Sequence, residues 1–148
     1  MKTLKTQLGR LAAIAALSMA MTAPSWAALP VGAQAPDFKL QGALGGKALT
    51  FSLQDALKKD PVVLYFFPAA FSAGCTIEAN AFAEATDGLN KLGATIVGVT
   101  AGNVEQVSDF SKLECRDKFT VAADPGAKIA TEYKNTMVHD GKTLSDRT

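Results

Sequence analysis

The run Val62-Val63-Leu64-Tyr65-Phe66-Phe67 is built of β-branched, aliphatic and aromatic residues with no charged side chain. An unbroken apolar stretch of this kind suits a strand covered on both faces, because a half-exposed strand would alternate with polar residues. A second such stretch follows at Thr95 to Thr100, with sequence TIVGVT. Between the two, Thr76 to about Lys91 is rich in Ala and Glu, with Phe82, Ala85 and Leu89 at helical spacing and Gly93 just beyond. Asn103 then reads as the cap of a helix running to about Lys118, with Val104, Val107 and Phe110 turned inward. Phe119 to Ala123 predicts a short strand. Asp124-Pro125-Gly126 predicts a turn that opens a helix over Lys128 to Tyr133. Strand, helix, strand, helix, strand is the rhythm of an α/β domain with a largely parallel sheet.

The flanks are less regular. Ala28 to Ala48 is rich in Gly, Pro and Ala and predicts an arm with a small hairpin turning within Gly42 to Gly46. Ser52 to Lys59 predicts a short helix with Ser52 as its cap. Gly45-Gly46-Lys47-Ala48 lacks both the earlier spaced glycine and the hydroxyl residue of a phosphate loop. His139, the sole histidine, falls in Val138 to Lys142, which reads as a solvated polar loop; with no second His or Cys beside it, it does not suggest a metal site.

At 148 residues the chain has the length of one domain. Apolar residues form 48% and charged residues 20%, which excludes a disordered tail or a coiled coil. Fifteen basic residues against fourteen acidic ones leave no electrostatic reason to expect nucleic acid as a partner. The first residues carry a signal of their own. Lys2, Lys5 and Arg10 precede an apolar run, Leu11 to Met21, and small residues at Ser25 and Ala27 fit a signal-peptidase site. Residues 1–27 are therefore expected to be a cleaved export signal and residues 28–148 a periplasmic or secreted domain. The apolar run has eleven residues, whereas a membrane-spanning helix needs roughly 20, so no membrane association is expected after cleavage.

An exported chain meets conditions in which disulfides form. Its two cysteines, Cys75 and Cys115, both fall in the mature part. Cys75 stands where the first buried strand gives way, through a loop, to a helix. Ligand sites of open α/β sheets gather at that place. Unpaired N–H groups and the dipole at a helix start favour thiolate over thiol, and thiolate is the nucleophile. Ser72, three residues earlier, is placed to turn its hydroxyl to the same sulfur, and Pro68 ends the strand.

The segment from Tyr65 to Glu78, YFFPAAFSAGCTIE, resembles the active-site segment of the peroxiredoxins: Pro, three residues, Thr or Ser, two residues, Cys, met here at Pro68, Ser72 and Cys75. Its Gly-Cys-Thr-x-Glu continuation is most similar to the bacterioferritin-comigratory, or peroxiredoxin Q, group. Val31-Gly32-x-x-Ala35-Pro36-Asp37-Phe38, Asp124-Pro125 and Tyr133 extend the resemblance over most of the mature chain.

The resemblance implies a thioredoxin-like fold, with a central mainly parallel sheet flanked by helices, and thiol-dependent reduction of peroxides without metal, haem or flavin. Cys75 would be the peroxidatic nucleophile, Ser72 would hydrogen-bond sulfur and peroxide, and Pro68 would shield the sulfur from water. Arg147, in Ser145-Asp146-Arg147-Thr148, would be the arginine the family places beside that sulfur. A thioredoxin-like dithiol protein would reduce the oxidised form, which would act as a monomer or weak homodimer.

The group often carries a resolving cysteine five residues after the first, where this chain has Asn80. Cys115, expected in the third helix, is then the candidate for that role, its other reading being a buried small apolar residue. The chain is expected to lack the family's final strand and helix, which would leave Arg147 loosely held at a frayed end. Glu78 reads first as a helix-start charge and second as a group that orients the arginine. Two other functions remain open: a non-catalytic secreted binding module with a structural disulfide, and a general thiol-disulfide oxidoreductase. The latter chemistry wants Cys-x-x-Cys, and Cys75 is followed by Thr76, Ile77 and Glu78.

Overall fold

A computed structural model of the chain describes residues 28–148. The expected export signal lies outside them. The order of elements is β1 (Lys39–Leu44), β2 (Lys47–Ser52), α1 (Leu53–Leu57), β3 (Val62–Ala69), α2 (Ala73–Lys91), β4 (Thr95–Gly102), a 3-10 turn (Val104–Gln106), α3 (Val107–Leu113), β5 (Thr120–Ala123), α4 (Lys128–Glu132), β6 (Thr136–His139) and β7 (Lys142–Ser145). Five strands form one sheet in the order β2-β1-β5-β4-β3. The apolar strands β3, β4 and β5 run parallel, and the β1–β2 hairpin joins β5 antiparallel. The α/β class is as expected.

Both faces of the sheet are covered, which is why its strands read as unbroken apolar runs. The period of two sorts their side chains. Tyr65, Phe67, Ile96 and Val121 meet Cys75, Ala79, Ala83, Phe110 and Cys115 on the face beneath α2 and α3. Phe66, Val97, Val99 and Ala122 meet Phe38, Leu53, Ala130 and Tyr133 on the other. Two local expectations hold at atomic detail. Ser52 Oγ caps α1 by accepting from the Asp55 amide. The Asp124 carboxylate accepts from the amides of Ile129 and Ala130 at the start of α4.

Other expectations are corrected. β3 does not stop at Pro68 but continues to Ala69, pairing Phe67 with Thr100 and Ala69 with Gly102. A proline is tolerated because β3 is an edge strand of this sheet. The helix after it begins at Ala73 rather than Thr76, with Ser72 extended at its cap. Its buried stripe is Cys75, Ala79, Ala83 and Thr86; Ala85 faces solvent and Phe82 is half-buried. The third helix ends at Leu113, not Lys118. Arg116 and Asp117 take φ of 52° and 58°, left-handed values that stop a right-handed helix. Asn103 sits in the same region at φ 53° and gives its amide to Ala70 O instead of capping. The supposed polar loop around His139 is the β6–β7 hairpin, turned by Asp140-Gly141 with positive φ at both positions. That pair is the preferred sequence of a two-residue hairpin turn. No helix of the described residues is long and apolar enough to cross a membrane.

One close packing gives a test of the core. Gly98 in β4 lies opposite Tyr65 in β3, and a Cβ there would stand 2.8 Å from the Tyr65 ring and hydroxyl. The ring has no room to retreat, being stacked on Phe82 at 4.2 Å between centroids. Gly98→Ala is expected to lower stability by about 1–3 kcal/mol through overpacking, read from the midpoint of urea unfolding. A loss below half that lower bound would show that the ring shifts freely.

Candidate active site

The chain reverses direction between β3 and α2 at Phe71, which takes a positive φ of 61° and packs its ring edge-on against Phe110 at 5.2 Å. Ser72 then caps α2, and Cys75 is the third residue of the helix, within the turn whose N–H groups lack helical partners. Cys75 is almost completely buried, at 1% exposure. Both cysteines are free thiols.

Arg147 reaches the sulfur from the other end of the chain. Its Nη2 donates to Cys75 Sγ at 3.4 Å and its Nη1 to Gly74 O at 3.4 Å. Nη1 also lies 3.6 Å from Glu78 Oε2. A cation against a sulfur at a helix N-terminus attracts negative charge there from two directions. Gly74 eases this approach: a Cβ at that position would stand 3.0 Å from Arg147 Nη2 and press the guanidinium aside by a few tenths of an ångström.

Glu78 therefore takes the second of its two readings, as the carboxylate flanking the guanidinium. It lies three residues after Cys75, so both project from one side of α2. Desolvation pushes its pKa up, partly offset by the positive charge of Arg147.

The expectation that Arg147 would be loosely held is also corrected. Ser145, fully buried, bridges the sheet: its Oγ donates to Phe67 O at 3.1 Å and accepts from Ala101 N at 3.0 Å. Buried Asn135 accepts the Asp146 amide on its carbonyl and donates its side-chain amide to Asp146 O at 3.0 Å and Thr148 Oγ1 at 3.2 Å. Thr148 N donates to Phe66 O at 3.3 Å. These bonds fix the backbone on either side of the arginine.

The remaining candidates divide. Ser72 stands at the helix cap, but its hydroxyl makes no cap bond, and the sulfur's hydrogen bond among the described residues comes from Arg147. Pro68 is half-buried near the end of β3. Cys115 lies just beyond α3 rather than within it, fully buried in the same core cluster as Cys75. Burial pushes its thiol pKa up, with the charge of Glu114 adding. Tyr65, which the sequence reading left in the core, belongs beside this group. Burial raises its hydroxyl pKa, and the charges of Cys115, Glu78 and Cys75 add to the effect. That hydroxyl has no hydrogen-bond partner among the described residues.

Among the described residues no three His, Cys, Asp or Glu side chains converge as a metal ion would require. An apolar hollow of about 330 Å³ lies against the other face of the sheet, lined by Leu53, Val62, Leu64, Phe66 and Tyr133. It does not reach Cys75.

Comparison with known proteins agrees with this geometry. The chain is 37% identical over 106 residues to a Helicobacter pylori (strain J99) protein carrying the name peroxiredoxin bcp, covering 72% of this chain and 66% of that one. It is 33% identical over 102 residues to the chloroplastic peroxiredoxin Q of Oryza sativa subsp. japonica, covering 69% and 45%. The chain thus spans two thirds or less of the length of these relatives. Among solved structures, peroxidoxin BcpB of Mycobacterium tuberculosis superposes with a TM-score of 0.67 at 26% identity, over 77% of this chain and 71% of that one. The fold is the thioredoxin-like one expected. The family model described as AhpC/TSA matches residues 31–146, a span that includes Pro68, Ser72, Cys75 and Cys115 and stops one residue short of Arg147: the chain belongs to the AhpC/TSA family.

Proposed function

We propose that the chain is an exported thiol peroxidase that reduces hydrogen peroxide and organic hydroperoxides at Cys75. The observation that carries this reading is the contact of the Arg147 guanidinium with a buried cysteine sulfur in the first turn of a helix. In the proposed step the Cys75 thiolate attacks the terminal oxygen of ROOH. The S–O bond forms as the O–O bond breaks, sulfur loses two electrons to the peroxide, and the leaving alkoxide takes a proton to depart as alcohol or water. Arg147 stabilises negative charge at the start and on the parting oxygens, and Glu78 holds its guanidinium in plane. Ser72, at the cap of α2, offers its hydroxyl to the incoming peroxide, and Pro68 screens the sulfur from water.

The sulfenic acid left on Cys75 is then resolved by Cys115, and the disulfide is returned to thiols by a thioredoxin-like dithiol protein. The working form is a monomer or weak homodimer. Export is supported by Lys2, Lys5 and Arg10 before the apolar Leu11 to Met21 and by the small residues Ser25 and Ala27.

The test uses reduced protein, about one equivalent of hydrogen peroxide and intact mass. Wild type is expected to lose two hydrogens as a Cys75–Cys115 disulfide. Cys115→Ser is expected to oxidise as fast but to gain one oxygen as sulfenate, and a second as sulfinate once a second equivalent of peroxide is added. Wild type that gains oxygen as Cys115→Ser does, with no disulfide, would remove Cys115 from the cycle.

A further inference from the structure

Resting on the reading that Cys115 resolves the sulfenate, we propose that Asn80 is the positioning residue of that second step. Its amide latches the segment bearing Cys115 against α2, and release of this latch sets how fast the disulfide closes.

The latch is built from three groups around one amide. Asn80 Nδ2 donates to Glu114 Oε2 at 3.0 Å and to Thr76 O at 2.8 Å. Its Oδ1 accepts from Arg116 Nη2. Two oxygen acceptors and one guanidinium donor fix which way the amide points. Glu114 and Arg116 are the residues on either side of Cys115, so one side chain of α2 holds both neighbours of the second sulfur. Further along the same side of α2, Glu84 meets Arg116 at 3.4 Å and Asp87 meets Lys118 at 2.8 Å. Those pairs are largely exposed and hold weakly. Of the Asn80 bonds, those to Glu114 and Thr76 are partly buried and that from Arg116 is exposed, so the side-chain hold on the segment is firmest at the charged Asn80–Glu114 pair.

Geometry makes this hold oppose the disulfide. Asn80 lies five residues after Cys75, a rise of about 7.5 Å along the helix axis. Disulfides span Cα separations of about 4.4–6.8 Å. With both neighbours of Cys115 fastened at that level, the sulfurs meet only if the 114–118 segment moves or the first turn of α2 unwinds. The segment lies outside α3: its backbone passes through left-handed φ at Arg116 and Asp117 and is tied by Cys115 N to Phe110 O and by Asp117 N to Ser111 O, bonds that its movement would have to break. While latched, Cys115 is fully buried, and burial disfavours its thiolate. Once released, its thiol attacks the sulfenic sulfur. The S–S bond forms as the S–O bond breaks, the Cys115 sulfur is oxidised as the Cys75 sulfur is reduced, and hydroxide leaves with the thiol proton as water.

The experiment measures two quantities. The first is the ratio of disulfide to sulfinate by mass after a peroxide pulse. The second is the alkylation rate of Cys115 in reduced protein carrying Cys75→Ser. Asn80→Ala is expected to raise both about tenfold, the size expected for losing hydrogen bonds to charged groups. Combining Asn80→Asp with Glu114→Gln exchanges donor and acceptor across the pair and is expected to bring both values back towards wild type, a rescue that a merely helix-stabilising residue would not show. Glu114→Ala reads the same latch from the other side if Asn80→Ala fails to fold. If wild type forms the disulfide and neither ratio nor alkylation changes in Asn80→Ala and Glu114→Ala, the latch is overturned and resolution by Cys115 stands. If no variant forms the disulfide and alkylation is equally slow in all, both are overturned.

Discussion

Cys75→Ser is expected to bring peroxide consumption to the level of buffer, a loss on the order of 10³-fold or more, since a residual rate would come only from binding groups. The serine hydroxyl is close in size to the thiol but does not ionise near neutral pH, and the uncharged oxygen is a poor nucleophile towards an O–O bond. The change is mild for the fold. The position is buried beside Arg147, which offers the new hydroxyl a donor, so the packing around Ala79 and Phe67 should persist. Peroxide decay followed by absorbance, with the thermal midpoint as a check on folding, makes the measurement. A folded Cys75→Ser protein that still turns over peroxide would place the chemistry at Cys115 and refute the proposed function.

Arg147→Ala is expected to slow Cys75 oxidation by about 10²–10³-fold, the range seen when one preorganised donor to a developing charge is removed. The guanidinium serves both ends of the step. It faces the sulfur at 3.4 Å, and its planar fork has further N–H groups for the peroxide oxygens. Arg147→Lys should recover only part of the loss, because an ammonium keeps the charge but not the fork. Stopped-flow mixing of reduced protein with peroxide separates the two variants. Stability should change little, since the backbone at this point is fixed by Ser145, Asn135 and Thr148 rather than by the guanidinium. If Arg147→Ala oxidises as fast as wild type, the sulfur owes its reactivity to the helix start alone.

The strand-to-helix junction that carries Cys75 was legible from local rules, whereas Arg147 was named only through the resemblance to a family. A covered strand must be apolar throughout, so β3 and β4 were visible as runs. A helix start needs a cap, so Ser52 was visible as one, and Asp124-Pro125-Gly126 was visible as the turn that opens α4. Where the reading failed, the deciding interaction came from elsewhere in the chain. Nothing local marks Arg116 and Asp117 for left-handed backbone, so the end of α3 at Leu113 could not be read. Ala85 shares helical spacing with Phe82 and Leu89, but which side of α2 is buried depends on where the sheet lies. The Asp140-Gly141 turn was legible and was overlooked in favour of the polarity around it.

From the residues alone follow the α/β class, the strands that form the sheet's apolar centre and the cysteine at a helix start, because hydrophobic period and capping are properties of neighbouring residues. Contacts across 72 residues of chain belong to the folded molecule. Whether Glu78 is a helix-start charge or the carboxylate flanking a guanidinium, and whether Arg147 frays or is held by Ser145 and Asn135, was decided only when β7 packed beside β3 and β4. Burial sets those roles, and burial is a property of the assembled layers.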